Sequence, residues 1–258
     1  VTALVLPWFW VPRLPKILRL DGIEHGSMGS HATSLHHIES GEAGAGAAAA
    51  AYAGPTVTFL DSYVSTANAT VYTFTTAGLS GGAVIVTPAT RGSGTNANIS
   101  SITIGGNAAT VNQNTVVNAG GAWNGAAVAI SDAGTWADND VVVTYAQSQL
   151  RAGIGVWLIT GLTSATPDDT ATSTANPLTD TINVNANGFL IAAAGIDSAT
   201  TPGSTWTGVA EQYDEAIEAS WDHSGGHQTY APAQTGLTIQ DDIAGTPAAQ
   251  VMAAASWH

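Results

Sequence analysis

The stretch Gly153–Thr160, GIGVWLIT, decides the fold class. It is short, continuously apolar up to Thr160 and centred on Val156-Trp157-Leu158-Ile159, which is how a strand buried on both faces reads. Phe189-Leu190-Ile191 within Gly188–Ala194 has the same character. Other runs alternate, as in Val71-Tyr72-Thr73-Phe74 and Ile102-Thr103-Ile104, the half-buried pattern of antiparallel sheets. Strands are expected near Val57–Ser62, Thr70–Thr75, Ala83–Thr87, Ile99–Ile104, Ala126–Ile130, Val141–Tyr145, Gly153–Thr160, Thr179–Val184, Gly188–Ala194, Trp206–Glu211, Gly236–Gln240 and Val251–Trp257. Gly105-Gly106-Asn107 and Asn187-Gly188 are turn signals of the hairpin type. No stretch of about 12 residues or more carries a 3.6 period. The count and spacing lead to an all-β fold, an antiparallel two-sheet β-sandwich of jelly-roll type over residues 55–258. No exact internal repeat is present, which speaks against a solenoid or propeller.

The 258 residues have room for one large all-β domain or two small ones. Apolar residues make up 45%, ample for a core, whereas charged residues are 9% against a usual value of about 25%. Thr, Ser, Asn, Gly and Ala take up the difference, so the surface is polar without being ionic. Net charge is −14, which repels phosphates and argues against nucleic acid as a partner of the body. The absence of cysteine removes disulfides, thiolate metal sites and Cys nucleophiles together.

Residues 1–54 differ from the rest and form an extended N-terminal arm ending in an Ala/Gly linker. Val1–Leu20 holds Arg13, Lys16 and Arg19 and no acid, a charge of +3, which leaves −17 on the remainder. Trp8, Phe9 and Trp10 stand between Pro7 and Pro12, and proline keeps them extended and unable to cover one another. Leu14, Ile17, Leu18 and Leu20 have the spacing of one or two helical turns, too short to be stable alone. We read Trp8, Phe9, Trp10 and Ile17 as apolar docking anchors and Arg13, Lys16 and Arg19 as their electrostatic complement to an acidic partner. The order of charges and apolar residues is wrong for a signal peptide, and no apolar run is long enough for a membrane helix, so no membrane role is expected.

Ser100–Thr110, SSITIGGNAAT, resembles the strand-turn-strand segment of β-sandwich proteins of tailed-phage virions. The order of the later segments is similar too: Arg151–Leu162, a Thr/Asp-rich loop, Gly188–Gly195, the acidic Glu211-Gln212-Tyr213-Asp214 and a closing Ala253–Trp257. The resemblance covers Thr56–His258 and implies a structural protein of the phage particle, on the head surface or the tail. The expectation is a non-enzymatic virion protein, an outer capsid decoration or cement protein. Its partners are the major capsid protein and further copies of itself, and it has no cofactor. A tail or fibre module binding host glycans is the alternative.

Four groups of residues invite a chemical reading. His25, His31, His36 and His37 with Glu39 have enough imidazoles for a metal, but a Gly/Ser-rich context makes a polar loop the better reading, and no metal is assigned. Asp222, His223, Ser224 and His227 have the ingredients of a hydrolase, yet triads assemble from distant segments, so a hairpin tip is expected and no catalytic residue is named. The pairs Asp138/Asp140, Asp168/Asp169, Asp214/Glu215 and Asp241/Asp242 read as turns, with calcium the weaker alternative. Trp123, Trp136, Trp206 and Trp221 stand beside Gly, Asn, Thr or Asp. A shared exposed face of such rings would stack on sugars, whereas core or interface packing is the commoner use.

Overall fold

The computed structural model describes residues 51–93, 96–119, 122–198 and 203–258, which belong to the compact unit Ala48–His258. The docking residues Trp8, Phe9, Trp10, Arg13, Lys16, Ile17 and Arg19 lie outside the described residues, as do His25, His31, His36, His37 and Glu39. The described chain is all-β and antiparallel. In the first half the strands are β1 (Thr56–Ser65), β2 (Ala69–Thr75), β3 (Ala83–Ser93), β4 (Ile99–Ile104), β5 (Asn107–Ala108), β6 (Thr110–Ala119), β7 (Ala122–Ser131), β8 (Asp140–Gln149) and β9 (Arg151–Thr160). The second half contributes β10 (Asp169–Ser173), β11 (Leu178–Val184), β12 (Gly188–Ser198), β13 (Ser204–Thr207), β14 (Ala210–Glu218), β15 (Trp221–Tyr230), β16 (Gln234–Ile243) and β17 (Pro247–Trp257).

The strands form four sheets rather than the two expected from their number. Their orders are β1-β9-β3-β7-β6, β2-β8-β4-β5, β10-β17-β12-β15-β14 and β11-β16-β13. Three apolar cores show how they stack. Tyr72, Phe74, Ile102, Ile104, Val141 and Val143 of the β2 sheet meet Val84, Val86, Ile154 and Val156 of the β1 sheet. The opposite face of the β1 sheet, with Ile85, Val128, Trp157 and Ile159, meets Phe189, Ile191, Val251 and Trp257 of the β10 sheet. The far side of that sheet, with Leu190, Ala192, Ile196 and Met252, meets Leu178, Ile182 and Ile239 of the β11 sheet. The body is therefore four layers deep, and its two middle sheets are covered on both faces. This is why β9 and β12 read as continuous apolar runs: alternate side chains go to different cores, and both cores are dry.

The two halves have the same strand order. Substituting β10 for β1, β11 for β2, β12 for β3, β13 for β4, β14 for β6, β15 for β7, β16 for β8 and β17 for β9 converts each sheet of the first half into one of the second, except that the short β5 has no counterpart. Register confirms the match, since Ile85 pairs with Trp157 and Phe189 pairs with Trp257, both fully buried. A tetrapeptide survives as well: Ser65-Thr66-Ala67-Asn68 follows β1, and Ser173-Thr174-Ala175-Asn176 follows β10. In each copy the serine Oγ accepts the N–H of the alanine two residues on, at 3.3 Å. This side-chain turn ends one strand and aims the chain at the next sheet.

Two glycine sites reflect close approach rather than turn chemistry. On β9, Ile154 and Val156 face one core while Gly153, Gly155 and Trp157 face the other. A Cβ on Gly153 would sit 2.7 Å from the His223 ring, and one on Gly155 2.4 Å from Tyr213. The strand carries glycine where side chains of the neighbouring layer come down onto its backbone.

Several expectations need correction. Trp221–Tyr230 is strand β15, an inner strand between β12 and β14, and not a hairpin tip. Asp214, Glu215, Asp241 and Asp242 lie in strands β14 and β16 rather than in turns. Gly105 and Gly106, at φ 53° and 80°, do close the β4–β5 hairpin. Asn187, at φ 58°, instead turns the chain from β11 to β12, which belong to different sheets.

Candidate functional site

Neighbours along a strand point to opposite faces, and β15 shows what this does to a suggestive motif. Asp222 and Ser224 face the outer β11 sheet, whereas His223 faces β9 across the central interface. The apparent Asp-His-Ser set is divided by the thickness of a sheet. His223 is fully buried; its Nε2 lies 3.2 Å from Glu215 Oε2, and Ser62 Oγ donates to Glu215 Oε1 at 2.6 Å. The carboxylate, not the imidazole, stands in the middle of this chain of three. The Ser62 hydroxyl faces a carboxylate and not an imidazole, so the arrangement lacks the serine–histidine contact of a triad. Burial lowers the His223 pKa against the opposing pull of Glu215. The hydrogen bond from His223 in turn holds Glu215 below the usual carboxylate range.

Tyr213 is the hub of the same interface. Its ring packs 4.7 Å from His223, 5.9 Å from Phe59 and 6.0 Å from Trp157, and its hydroxyl lies 2.9 Å from Thr87 Oγ1. Beside it the two arginines of the body are clamped. Arg91 Nε meets Asp197 at 3.0 Å and its Nη1 meets Glu218 at 2.9 Å, while Arg151 Nη2 meets the other Glu218 oxygen at 2.6 Å. Glu218 thus joins β14 of one middle sheet to β3 and β9 of the other. All three side chains are about a quarter exposed, so the cost of breaking the set lies between that of an exposed and a buried ion pair. Glu218→Ala is expected to lower stability by about 2 kcal/mol, read as a shift of the urea midpoint at constant slope. An unchanged midpoint would mean that the clamp is a surface decoration.

A third group lies between the β10 and β11 sheets. Asp241 is fully buried and Asp222 is 1% exposed. Ser204 Oγ donates to Asp241 Oδ2 at 3.0 Å and lies 2.8 Å from Ser224 Oγ, which is itself 3.3 Å from Asp241 Oδ2. Trp206 Nε1–H donates to Ser224 Oγ at 3.2 Å. Asp214 shares a hydrogen bond with Asp222 and accepts the Ser204 N–H at 3.1 Å. Asp222 Oδ1 and Asp241 Oδ1 have no partner at all. Burial, reinforced by Asp214, pushes Asp222 up to about 8, and burial pushes Asp241 up to about 7. Among the described residues no group of three or more carboxylates and imidazoles is placed to hold a metal.

At one end of the body a shallow cleft of about 380 Å³ is lined by Pro55, Gly161, Thr163, Asn187 and His258. His258 Nδ1 lies 2.8 Å from both oxygens of Asp168. Thr163 Oγ1 is committed to the His258 carbonyl at 2.6 Å, so the nearest hydroxyl is not offered to the ring. Of the remaining acidic pairs, Asp138 lies in a turn, where its Oδ1 accepts the Asp140 N–H. Asp140 and Asp169 instead begin strands β8 and β10, and Asp169 Oδ2 accepts both the backbone and side-chain N–H of Asn183.

The four tryptophans do not share a face. Trp221 is fully buried beneath β14, stacked at 6.4 Å with His223, and has no ring surface for a sugar. Core packing, the commoner use, is what the strand assignment of its segment gives it, and the sugar-stacking alternative loses this ring. Trp206 is half-buried in β13 and tied to Ser224. Trp136 is half-buried against the core between the β1 and β2 sheets, its Cβ at 2.8 Å from where a Gly105 Cβ would stand. Trp123 lies in β7, half-buried. Asp214, Asp241, Ser204 and Ser224 had no shared motif in sequence; their spacing of 10 to 20 residues becomes proximity only through sheet stacking. Comparison of the chain with known protein families, with curated proteins and with solved structures finds no match.

Proposed function

We propose that the chain is a non-enzymatic structural protein of a phage-like virion, an outer capsid decoration or cement protein that docks through residues 1–54. In this reading each half is a jelly roll, because β1-β9-β3-β7 facing β2-β8-β4-β5 is the strand order of that fold, and the second half repeats it. The observation that carries the reading is the twofold use of one sandwich with both middle sheets buried. Such a body is rigid, and its outer layers are left to face solvent or neighbours. The outward positions are Thr73, Thr75 and Thr103 on one side, and Thr179, Thr181, Thr205, Thr207 and Thr238 on the other. Hydroxyl-rich faces of this kind, on which Asp140 and Asp242 also stand, tolerate high salt, since they depend little on screened ion pairs. The acidic body, at −13 over residues 55–258 (15 Asp and Glu against two Arg), cannot itself favour another acidic surface, so the +3 segment with Trp8, Phe9 and Trp10 is the part suited to grip. Repetition around a shell then multiplies a weak single contact.

The test replaces Trp8, Phe9 and Trp10 together with alanine in the full chain. Copies bound to tailed-phage capsid shells are then counted by co-sedimentation, and self-association is measured in parallel. The expected result is at least a tenfold loss of bound copies with an unchanged circular-dichroism spectrum. Binding equal to that of the parent chain would remove the arm from the mechanism. The full chain failing to bind shells in the first place would remove the capsid.

A further inference from the structure

We infer that Asp222 and Asp241, buried beside Asp214, form a proton-held latch that keeps the outer β11-β16-β13 sheet seated on the sheet beneath it and loosens it when the pair ionises. Two carboxyl groups buried without a counter-charge cannot both remain ionised at modest cost, and each has one oxygen that finds no donor among the described residues. A proton on either carboxyl relieves the repulsion and supplies a donor where none exists.

Among the described residues no positive charge faces the pair. On β14 the facing group is Asp214, with Glu211 exposed nearby; β15 presents Asp222 and β16 Asp241. β13 contributes Ser204 and Trp206, β12 contributes Ile196, and β17 contributes Met252 and Ala254. On β11, Asp180 is at the far edge, accepting the Thr172 N–H. His223 and Glu215 face the opposite side, and Arg91 and Arg151 are held there by Asp197 and Glu218. The layer contact is also built to respond. Ser204, Trp206 and Asp241 belong to the outer sheet, Ser224 and Asp214 to the inner one, and the hydrogen bonds that join the layers converge on Ser224 Oγ, pass from it to Asp241 Oδ2, and run from the Ser204 N–H to Asp214. The first half has the equivalent outer sheet, β2-β8-β4-β5, seated by the apolar contacts of Ile102, Ile104, Val141 and Val143 and by the hydroxyl pair Tyr145–Thr90, with no buried carboxyl between the layers among the described residues. It serves as a control within the same molecule.

The experiment is native-state hydrogen exchange on the full chain at pH 5.5, 7.0 and 8.5, corrected for the intrinsic rate at each pH. Amide protection of β13 and β16 is expected to fall at least tenfold from pH 5.5 to 8.5, while that of β4 and β8 holds. Asp222→Asn with Asp241→Asn, which mimics the protonated pair, should leave β13 and β16 protected at pH 8.5. Equal loss in both outer sheets, or no loss in either, overturns the latch in the parent chain alone, whatever the variant does. If calcium chloride restores protection at pH 8.5, the cluster is a cation site and the proton reading is wrong.

Discussion

Gly155→Val will destabilise the protein by about 3 kcal/mol. The backbone conformation at Gly155 is not a left-handed one, so the cost is steric. A Cβ there would lie 2.4 Å from Tyr213 Cε1 and 2.7 Å from Trp157 Cη2, distances that no rotamer of valine relieves. Tyr213 cannot retreat, because its ring is wedged among Phe59, Trp157 and His223 and its hydroxyl is held by Thr87. The two middle sheets would have to separate locally, and a close-packed interior resists that. Gly195→Ala on β12 is the matched control. Its Cβ would meet Gly125 O at 3.4 Å and Ala89 Cβ at 3.5 Å, ordinary contacts, so a change of less than about 1 kcal/mol is expected. Urea unfolding of both variants decides the matter. Equal midpoints for the two would mean that β9 and β14 do not approach as described.

Stability should fall by about 3 kcal/mol between pH 6.5 and pH 8.5, the reverse of ordinary acid sensitivity. Asp222 and Asp241 ionise near 3.8 when unfolded, yet burial holds them up to about 8 and about 7 in the native state. Between those limits the native chain keeps protons that the unfolded chain has released, so stability drops as pH rises. For two such groups the slope reaches about 2.7 kcal/mol per pH unit. His223 and His227 act in the other direction. Burial lowers both, so the unfolded chain takes up protons below about 6.5 and stability is lost on further acidification. Asp222→Asn with Asp241→Asn should flatten the alkaline limb and raise the urea midpoint at pH 8.5. A parent midpoint that stays level or climbs from pH 6.5 to 8.5 would show that the two carboxyls are solvated.

What could be read from the sequence was the strand content, because β-branched and aromatic runs between turn residues survive without knowing their neighbours. Val71–Phe74 and Ile102–Ile104 were placed on strands by alternation alone, and they are strands. The number of layers was not legible. GIGVWLIT identifies a strand covered on both sides, but nothing in it says that the covers are two different sheets. Strand β15 was hidden because Asp222, His223, Ser224, Gly225 and Gly226 have the composition of a loop. The glycines are there for Tyr213 and Ala210, and the polar groups for partners on the neighbouring strand β14 and on β16 of the outer sheet. β6, with Asn112, Gln113 and Asn114, is a polar edge strand that no hydrophobic period reveals. The repeated architecture left one tetrapeptide, Ser-Thr-Ala-Asn, as its trace, since a shared strand order needs shared apolar positions and not shared residues.

The equivalence of β9 and β17 bears on how the chain reaches its native state. Each is the closing strand of its half, laid between the first strand and the third, and each carries a buried tryptophan at the same register. As the polypeptide emerges from the ribosome, the first half can complete itself once Thr160 is free, before the second has begun to assemble. The second then waits with an open slot between β10 and β12 until Trp257 appears. An unfilled slot of this shape accepts the wrong closing strand as readily as an edge accepts a neighbour, whether from the other half or from another chain. Vectorial synthesis, which retires β9 into its own half first, protects this fold from strand exchange, and refolding from denaturant, where all slots open together, does not.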